Sequence, residues 1–344
     1  MNLSIVDLAP VPAGGTATDA YENTLEFARE AERLGYSRFW VAEHHGMADA
    51  IASTTPEVLI ARLAAATDDI RIGSGTVLLN HYSPFKVAET FGALDAMAPG
   101  RVDLGLGRAT GIPAADRALQ TSRRSRNPDA DHAEKIESVV THLYNGFPDD
   151  HPYGDLRIAR SAEDTPEVWL LGSSPSSAKI AGELGLRYCF AAFIRPSLAE
   201  RAVDVYREHF QPSPLGAGPD DPEGMLAINV TCAETDEEAA RLRASVEASY
   251  KRMERGVIGP APPVEEAIDE LGGVPDPTPN PLDLEADSWP RAISGSPSTV
   301  RALLNQLTDR IGVDDVVVQN VIADHDDMLR SHELLAEGVG LSPR

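Results

Sequence analysis

Short apolar runs alternate along this chain with longer stretches in which apolar residues recur every three or four positions. The runs at residues 3–8, 38–42, 70–78, 102–106, 168–171, 188–194, 226–231 and 316–321 read as strands. Between the first two, Asp19 is placed to cap a helix whose Tyr21, Leu25, Ala28 and Leu34 fall at helical spacing and which Gly35 closes. Further helical patterns cover 56–66, 84–97, 132–144, 176–184, 197–210, 237–250 and 297–311, so the chain holds eight strands and eight helices. Strands that alternate with helices pair in parallel. No glycine-rich dinucleotide fingerprint follows the first strand, which favours a closed (β/α)8 TIM barrel of the α/β class over an open doubly wound sheet.

Two stretches break the rhythm. One, at about 110–131, is polar and carries Arg123, Arg124 and Arg126; the other, at about 255–290, is rich in proline and glycine. Both are too long for simple barrel connections and read as loop insertions over the C-terminal face, the second as a lid. They do not read as domain boundaries, so residues 1–344 are expected to form a single barrel domain.

Composition narrows the partners. With 54 acidic against 30 basic residues the net charge is -24, which repels phosphate backbones and anionic lipid, so neither nucleic acid nor membrane is an expected partner. A hydrophobic fraction of 42% is ample for a core. Cys189 and Cys232 are the two cysteines, too few for a disulfide framework. The first residues lack a basic region followed by an apolar run, and no apolar stretch reaches the ~18 residues of a membrane span, so a cytoplasmic location is expected.

Barrel enzymes keep their chemistry where strands end and loops begin. Four consecutive strand ends here carry unusual residues. After the second comes Glu43-His44-His45-Gly46, a carboxylate and two imidazoles, suited to proton handling near neutral pH or to contact with a flavin. A metal is the lesser alternative, since no His-x-His or HExxH spacing supplies further ligands, and no metal is expected. After the third strand, Gly73-Ser74-Gly75-Thr76 lets backbone approach a planar ligand, although glycine in a strand also marks a bulge. The fourth ends in Gly107-Arg108, a guanidinium suited to gripping phosphate or to bridging loops. The fifth leads through Gly172-Ser173-Ser174-Pro175-Ser176-Ser177 into a helix start, where free N–H groups and hydroxyls bind anions but where serine caps are also common. Together the four suggest a phosphate between Arg108 and the Ser173–Ser177 turn, and a planar ring over Gly75 beside His44. That arrangement suits flavin mononucleotide.

Through Glu43-His44-His45, the stretch 70–89, the block 98–108, the 172–177 turn and the late segment starting at Gly295, in order along nearly the whole chain, the sequence resembles the luciferase-like flavin monooxygenases. The resemblance implies that His44 is catalytic and that Glu43, Gly75, Thr76, Arg108, Ser173, Ser174 and Ser177 hold FMN, Arg108 and the serines at its phosphate. It also implies a non-prolyl cis peptide at Gly75-Thr76. In activity it implies FMNH2 delivered by a separate flavin reductase, O2 activated as a flavin C4a-peroxide, and one oxygen inserted into a small organic substrate, apolar or aromatic. A homodimer, with helix 56–66 at its interface, is usual in the family. The chain departs from luciferase itself, which has glutamate at the position of Ser173 and cysteine at that of Gly107, so light emission is not implied. Two alternatives stand beside this reading: hydride transfer with a deazaflavin (F420), whose longer acidic tail the arginines at 123–126 would suit, and an FMN-binding protein without turnover.

Overall fold

A computed structural model describes residues 1–108, 112–119, 128–280, 283–285 and 288–344, the side chains of 128 and 129 excepted. Its strand segments are rich in valine, leucine and isoleucine on both faces, as parallel strands covered on both sides require. They are β1 (Asn2–Asp7), β2 (Arg38–Val41), β3 (Arg71–Ser74), β4 (Val77–Leu78), β5 (Val102–Gly107), β6 (Glu167–Gly172), β7 (Arg187–Ala191), β8 (Gly224–Cys232), β9 (Ala292–Gly295) and β10 (Asp315–Gln319). The helices are α1 (Ala17–Leu34), α2 (Pro56–Ala64), α3 (Pro84–Met97), α4 (Pro113–Leu119), α5 (Pro128–Leu143), α6 (Pro175–Glu183), α7 (Ala199–His209), α8 (Asp236–Glu254), α9 (Val264–Leu271), α10 (Pro297–Ile311) and α11 (His325–Val339).

The strands pair in parallel, and β10 joins both β1 and β8, which closes the barrel in the order β1-β2-β3-β5-β6-β7-β8-β10. The fold is the expected (β/α)8 barrel. The third run is interrupted: β3 pairs with β2 and β5, the Gly75-Thr76 peptide follows, and β4 resumes beside β5. β8 is shared between neighbours. Its first residues pair with β7 and its last with β9, a strand the sequence pattern did not single out, so β8 stands above the rim.

Three sequence expectations need correction. Thr16, not Asp19, caps α1; Asp19 sits three residues in and closes a reciprocal capping box with it. The eighth barrel helix is α11, because the pattern at 297–311 is α10, which precedes the last strand. The stretch at 255–290 is not loop throughout: it contains α9, whose Ala267 packs on Ala244 and Ala248 of α8. Arg123, Arg124 and Arg126 lie outside the described residues.

Alternate strand positions divide between two apolar clusters. Val6, Trp40, Ala42, Trp169, Cys189, Met225, Ala227 and Val317 fill the barrel interior, while neighbours such as Ile5, Phe39, Leu226 and Val318 pack outward with the helices. Beneath the interior cluster, at the N-terminal ends of the strands, Asp103 accepts from Arg38 at 2.7 Å, from Arg71 at 2.6 Å and from the Trp40 indole at 2.9 Å. Glu167 pairs with Arg38 at 3.0 Å and Arg71 at 3.4 Å, and Arg187 pairs with Glu223 at 2.7 Å. Burial alone would raise the Glu167 carboxyl, but Arg38, Arg71 and Arg187 together outweigh it and hold the group below its ordinary range. Among the described residues no helix is long and apolar enough to cross a membrane.

Candidate active site

The barrel order sets β2, β3, β5 and β6 side by side, so four of the strand ends picked out by sequence become neighbours along one half of the rim. The β5–β6 register, Leu106 opposite Leu170, carried forward two residues puts Arg108 level with Gly172. Arg108 is exposed at the tip of β5. Beside it Ser174 caps α6, its hydroxyl accepting from the Ser177 N–H at 3.3 Å. Ser177 turns inward, donating to the Ser174 carbonyl at 2.8 Å and lying 3.1 Å from the Tyr188 hydroxyl. Two glycines make this packing possible. A Cβ on Gly172 would come within 2.1 Å of Ser177 Oγ, and one on Gly107 within 2.6 Å of Thr76 Oγ1, so both hydroxyl side chains rest on bare backbone.

The Gly75-Thr76 peptide is cis, as the family resemblance implied. Its inner side is closed: a Cβ on Gly75 would meet Val6 and Trp40 at about 3 Å.

His44 and Glu43, adjacent in sequence, have opposite surroundings. Glu43 is buried and saturated: it accepts from the Leu78 N–H at 2.9 Å, the Tyr82 hydroxyl at 2.7 Å and His45 Nε2 at 2.5 Å. Burial, and then Glu43 itself, pushes the Tyr82 phenol well up, so Tyr82 stays protonated and donates. The carboxylate thus ties the β2 end to the β4 end. The His44 N–H is anchored on the Ser53 carbonyl at 2.9 Å, yet its ring Nδ1 is out of contact with water and has no hydrogen-bond partner. Burial, with a smaller contribution from His45, lowers the His44 imidazole to about 4, so it is neutral at pH 7. Within the first insertion, Ile112 and Ala115 lie against Gly46, which brings α4 over this corner.

Sequence reasoning missed four residues. Tyr82 is one; the others are Asn229, Tyr250 and Gln319 on the opposite side of the rim. Two of these left a trace, an amide side chain following an apolar stretch within a strand run, Leu-Ala-Ile-Asn229 and Val-Val-Val-Gln319. Among the described residues no group of three or more His, Cys, Asp or Glu is placed to hold a metal ion.

The profile of the luciferase-like monooxygenase family matches residues 1–315. The chain belongs to that family. A luciferase-like monooxygenase of Escherichia coli (strain K12) is 35% identical over 331 residues, covering 96% of this chain and 95% of that protein. The N-acetyl-S-alkylcysteine monooxygenase of Bacillus subtilis (strain 168) is 34% identical, covering 98% of each. Among solved structures, apo-MsnO8 is 41% identical with a TM-score of 0.87, covering 100% of this chain and 99% of that one. The chain is therefore a flavin-dependent monooxygenase at the level of its family.

The donor set fits FMN. A guanidinium, two serine hydroxyls and the start of a nine-residue helix stand on adjacent strand ends, the chemistry a phosphate dianion takes. The half-buried, unpartnered His44 Nδ1 supplies a polar atom that the protein leaves unsatisfied.

Proposed function

We propose that this chain takes reduced FMN from a separate flavin reductase and uses it with O2 to oxygenate a small organic substrate held in the barrel mouth. What supports this above all is the set of four adjacent strand ends carrying His44, Gly75-Thr76, Arg108 and Ser173-Ser174. Arg108, Ser173, Ser174 and the first turn of α6 would hold the phosphate, with Ser177 supporting the turn from behind. Gly75 and Thr76 would carry the ring. Reduced FMN, when bound, supplies the two electrons that activate O2.

His44, neutral at working pH, takes up a proton on its ring and returns it as the substrate is oxygenated. Glu43 fixes the strand end that carries it, through Leu78, Tyr82 and His45, so it positions the site rather than reacting. Ile112 and α4, set against Gly46, would help keep water from this corner. Leu8, Leu171 and Phe193, partly buried above the interior cluster, offer an apolar floor for an apolar or aromatic body. N-acetyl-S-alkylcysteines, the compounds named for one relative, are the first substrates to try. Val58 on α2 and Met97 at the end of α3, 66% and 73% exposed, suit packing against a second copy.

Anoxic titration with reduced FMN, reduced riboflavin and a reduced deazaflavin tests the proposal. FMN should bind about tenfold or more tightly than riboflavin, and Arg108→Met should erase that preference, as loss of a charge-assisted phosphate contact requires. On mixing with O2, oxygen uptake should rise with substrate. Binding of the deazaflavin alone would replace oxygenation with hydride transfer, and flavin binding with no substrate-dependent oxygen uptake would leave a carrier.

A further inference from the structure

The other half of the rim is formed by β7, β8, β10 and β1. Met225, Ala227 and Val317 lie inside the barrel, so Asn229 and Gln319, two residues further along the same strands, point the same way. They are register partners, both are buried, and β8 faces β3 across the barrel.

The Asn229 amide is held in one orientation. Its Nδ2 faces the Arg291 carbonyl at 3.3 Å, and a carbonyl can only accept, so the nitrogen must lie on that side. The second N–H goes to the Tyr250 hydroxyl at 3.0 Å, and the Tyr250 O–H in turn donates to Gln319 Oε1 at 3.5 Å. Arg291 stands 4.8 Å over the Tyr250 ring and pairs with Glu254 at 3.6 Å, which keeps the phenol in place. Both N–H groups of the Asn229 amide are therefore spent. Asn229 Oδ1 is left buried and without any partner. Buried amide oxygens are nearly always satisfied, and an exception on the inward face of β8 at the barrel rim is where a ligand can supply the donor.

That donor is better an N–H than an O–H. A hydroxyl set on the apolar floor of Leu8, Leu171 and Phe193 would bring lone pairs that nothing there satisfies, whereas an amide N–H brings only its proton. We propose that Asn229 Oδ1 accepts a hydrogen bond from a secondary-amide N–H of the substrate, held ready by Tyr250 and Gln319, so that the enzyme selects N-acylated small molecules over analogues lacking the N–H. The inference rests on the monooxygenase reading above for the place of the substrate, and on this chain's own hydrogen bonds for its chemistry.

Calorimetric titration under anoxia, with and without reduced FMN, compares N-acetyl-S-benzylcysteine with its N-methyl-N-acetyl counterpart. The unmodified protein should prefer the N–H compound by about tenfold, the worth of one hydrogen bond to a buried acceptor. Asn229→Leu, close in shape, should abolish the preference while leaving reduced-FMN affinity unchanged, which also shows that the variant is folded. Tyr250→Phe, which frees the amide to turn, should give an intermediate preference. Equal binding of the two compounds, binding of neither by a protein that binds reduced FMN, or a preference that survives Asn229→Leu would each overturn the proposal. Loss of reduced-FMN affinity in a folded Asn229→Leu protein would assign the acceptor to the flavin's own N–H and overturn it as well. An amide preference in a protein that fails to bind reduced FMN would uphold it and sink the flavin reading instead.

Discussion

The two ends of this barrel are built from the same strands and are both polar, yet their polar groups are used in opposite ways. At the N-terminal end Arg38, Arg71 and the Trp40 indole all converge on Asp103, and Glu167 pairs with both guanidiniums, so that charges bind one another across four strands. At the C-terminal end His44 Nδ1 and Asn229 Oδ1 are buried with nothing to bind. Charge that is saturated internally holds strands in register and has nothing left to offer a ligand. Polar atoms left unsatisfied cost stability and are available to one. The difference between the ends is thus that charges are collected on a shared carboxylate at one and single polar atoms are left over at the other, and each end can be challenged separately.

Removing a partner at the closed end should have the largest effect. Asp103→Ala leaves two guanidiniums with Glu167 as their one remaining carboxylate and strands the Trp40 indole N–H, and should lower stability by about 3 kcal/mol in urea unfolding, the low end of the range for breaking a buried ion pair. Reduced-FMN affinity of the folded fraction should not change. A wild-type midpoint for this variant would dissolve the contrast. At the open end, His44→Ala should fold and bind reduced FMN normally but lose about 100-fold in coupled product formation, with hydrogen peroxide released in its place. Normal product yield would remove His44 from catalysis.

The smallest effect concerns acid. His44 titrates near 4 in the fold and near 6.5 when unfolded, so the unfolded chain takes up its proton first as pH falls. The group's contribution is complete above pH 6.5, declines below it, and levels off near pH 4. From pH 6.5 to 5.5 the wild type should lose about 1 kcal/mol of stability that His44→Ala does not lose. Parallel pH profiles of the two proteins would place the unsatisfied imidazole elsewhere.

Much of this was legible in the sequence because the informative residues are contiguous. Glu43-His44-His45, Gly107-Arg108 and Ser173-Ser174 each stand at the end of an apolar run and Gly75-Thr76 interrupts one, and four successive βα units must place these positions together. Asn229, Tyr250 and Gln319 were not legible, since their relation arises only when β10 closes on β8 and when Arg291 fixes the amide's orientation. The roles of Glu43 and His44 were equally hidden: composition puts them side by side, and only the contacts of Leu78 and Tyr82 show which one is saturated. The helix count came out at eight for the wrong helices. α10 has the amphipathic spacing of a barrel helix, and nothing in its pattern says that it lies before the last strand rather than after it.

The division of β8 between two neighbours has a consequence for how such proteins diversify. Its lower half, through Met225–Asn229 against β10, is committed to closure, while its upper half holds β9 and with it the whole connection that contains α9. That connection is hung on the rim like an exchangeable cassette. Apart from Asn229, which pairs with both β9 and β10, no residue that seals the barrel is paired to it, so its length and composition can drift, and selectivity with them, on a scaffold whose closure stays the same.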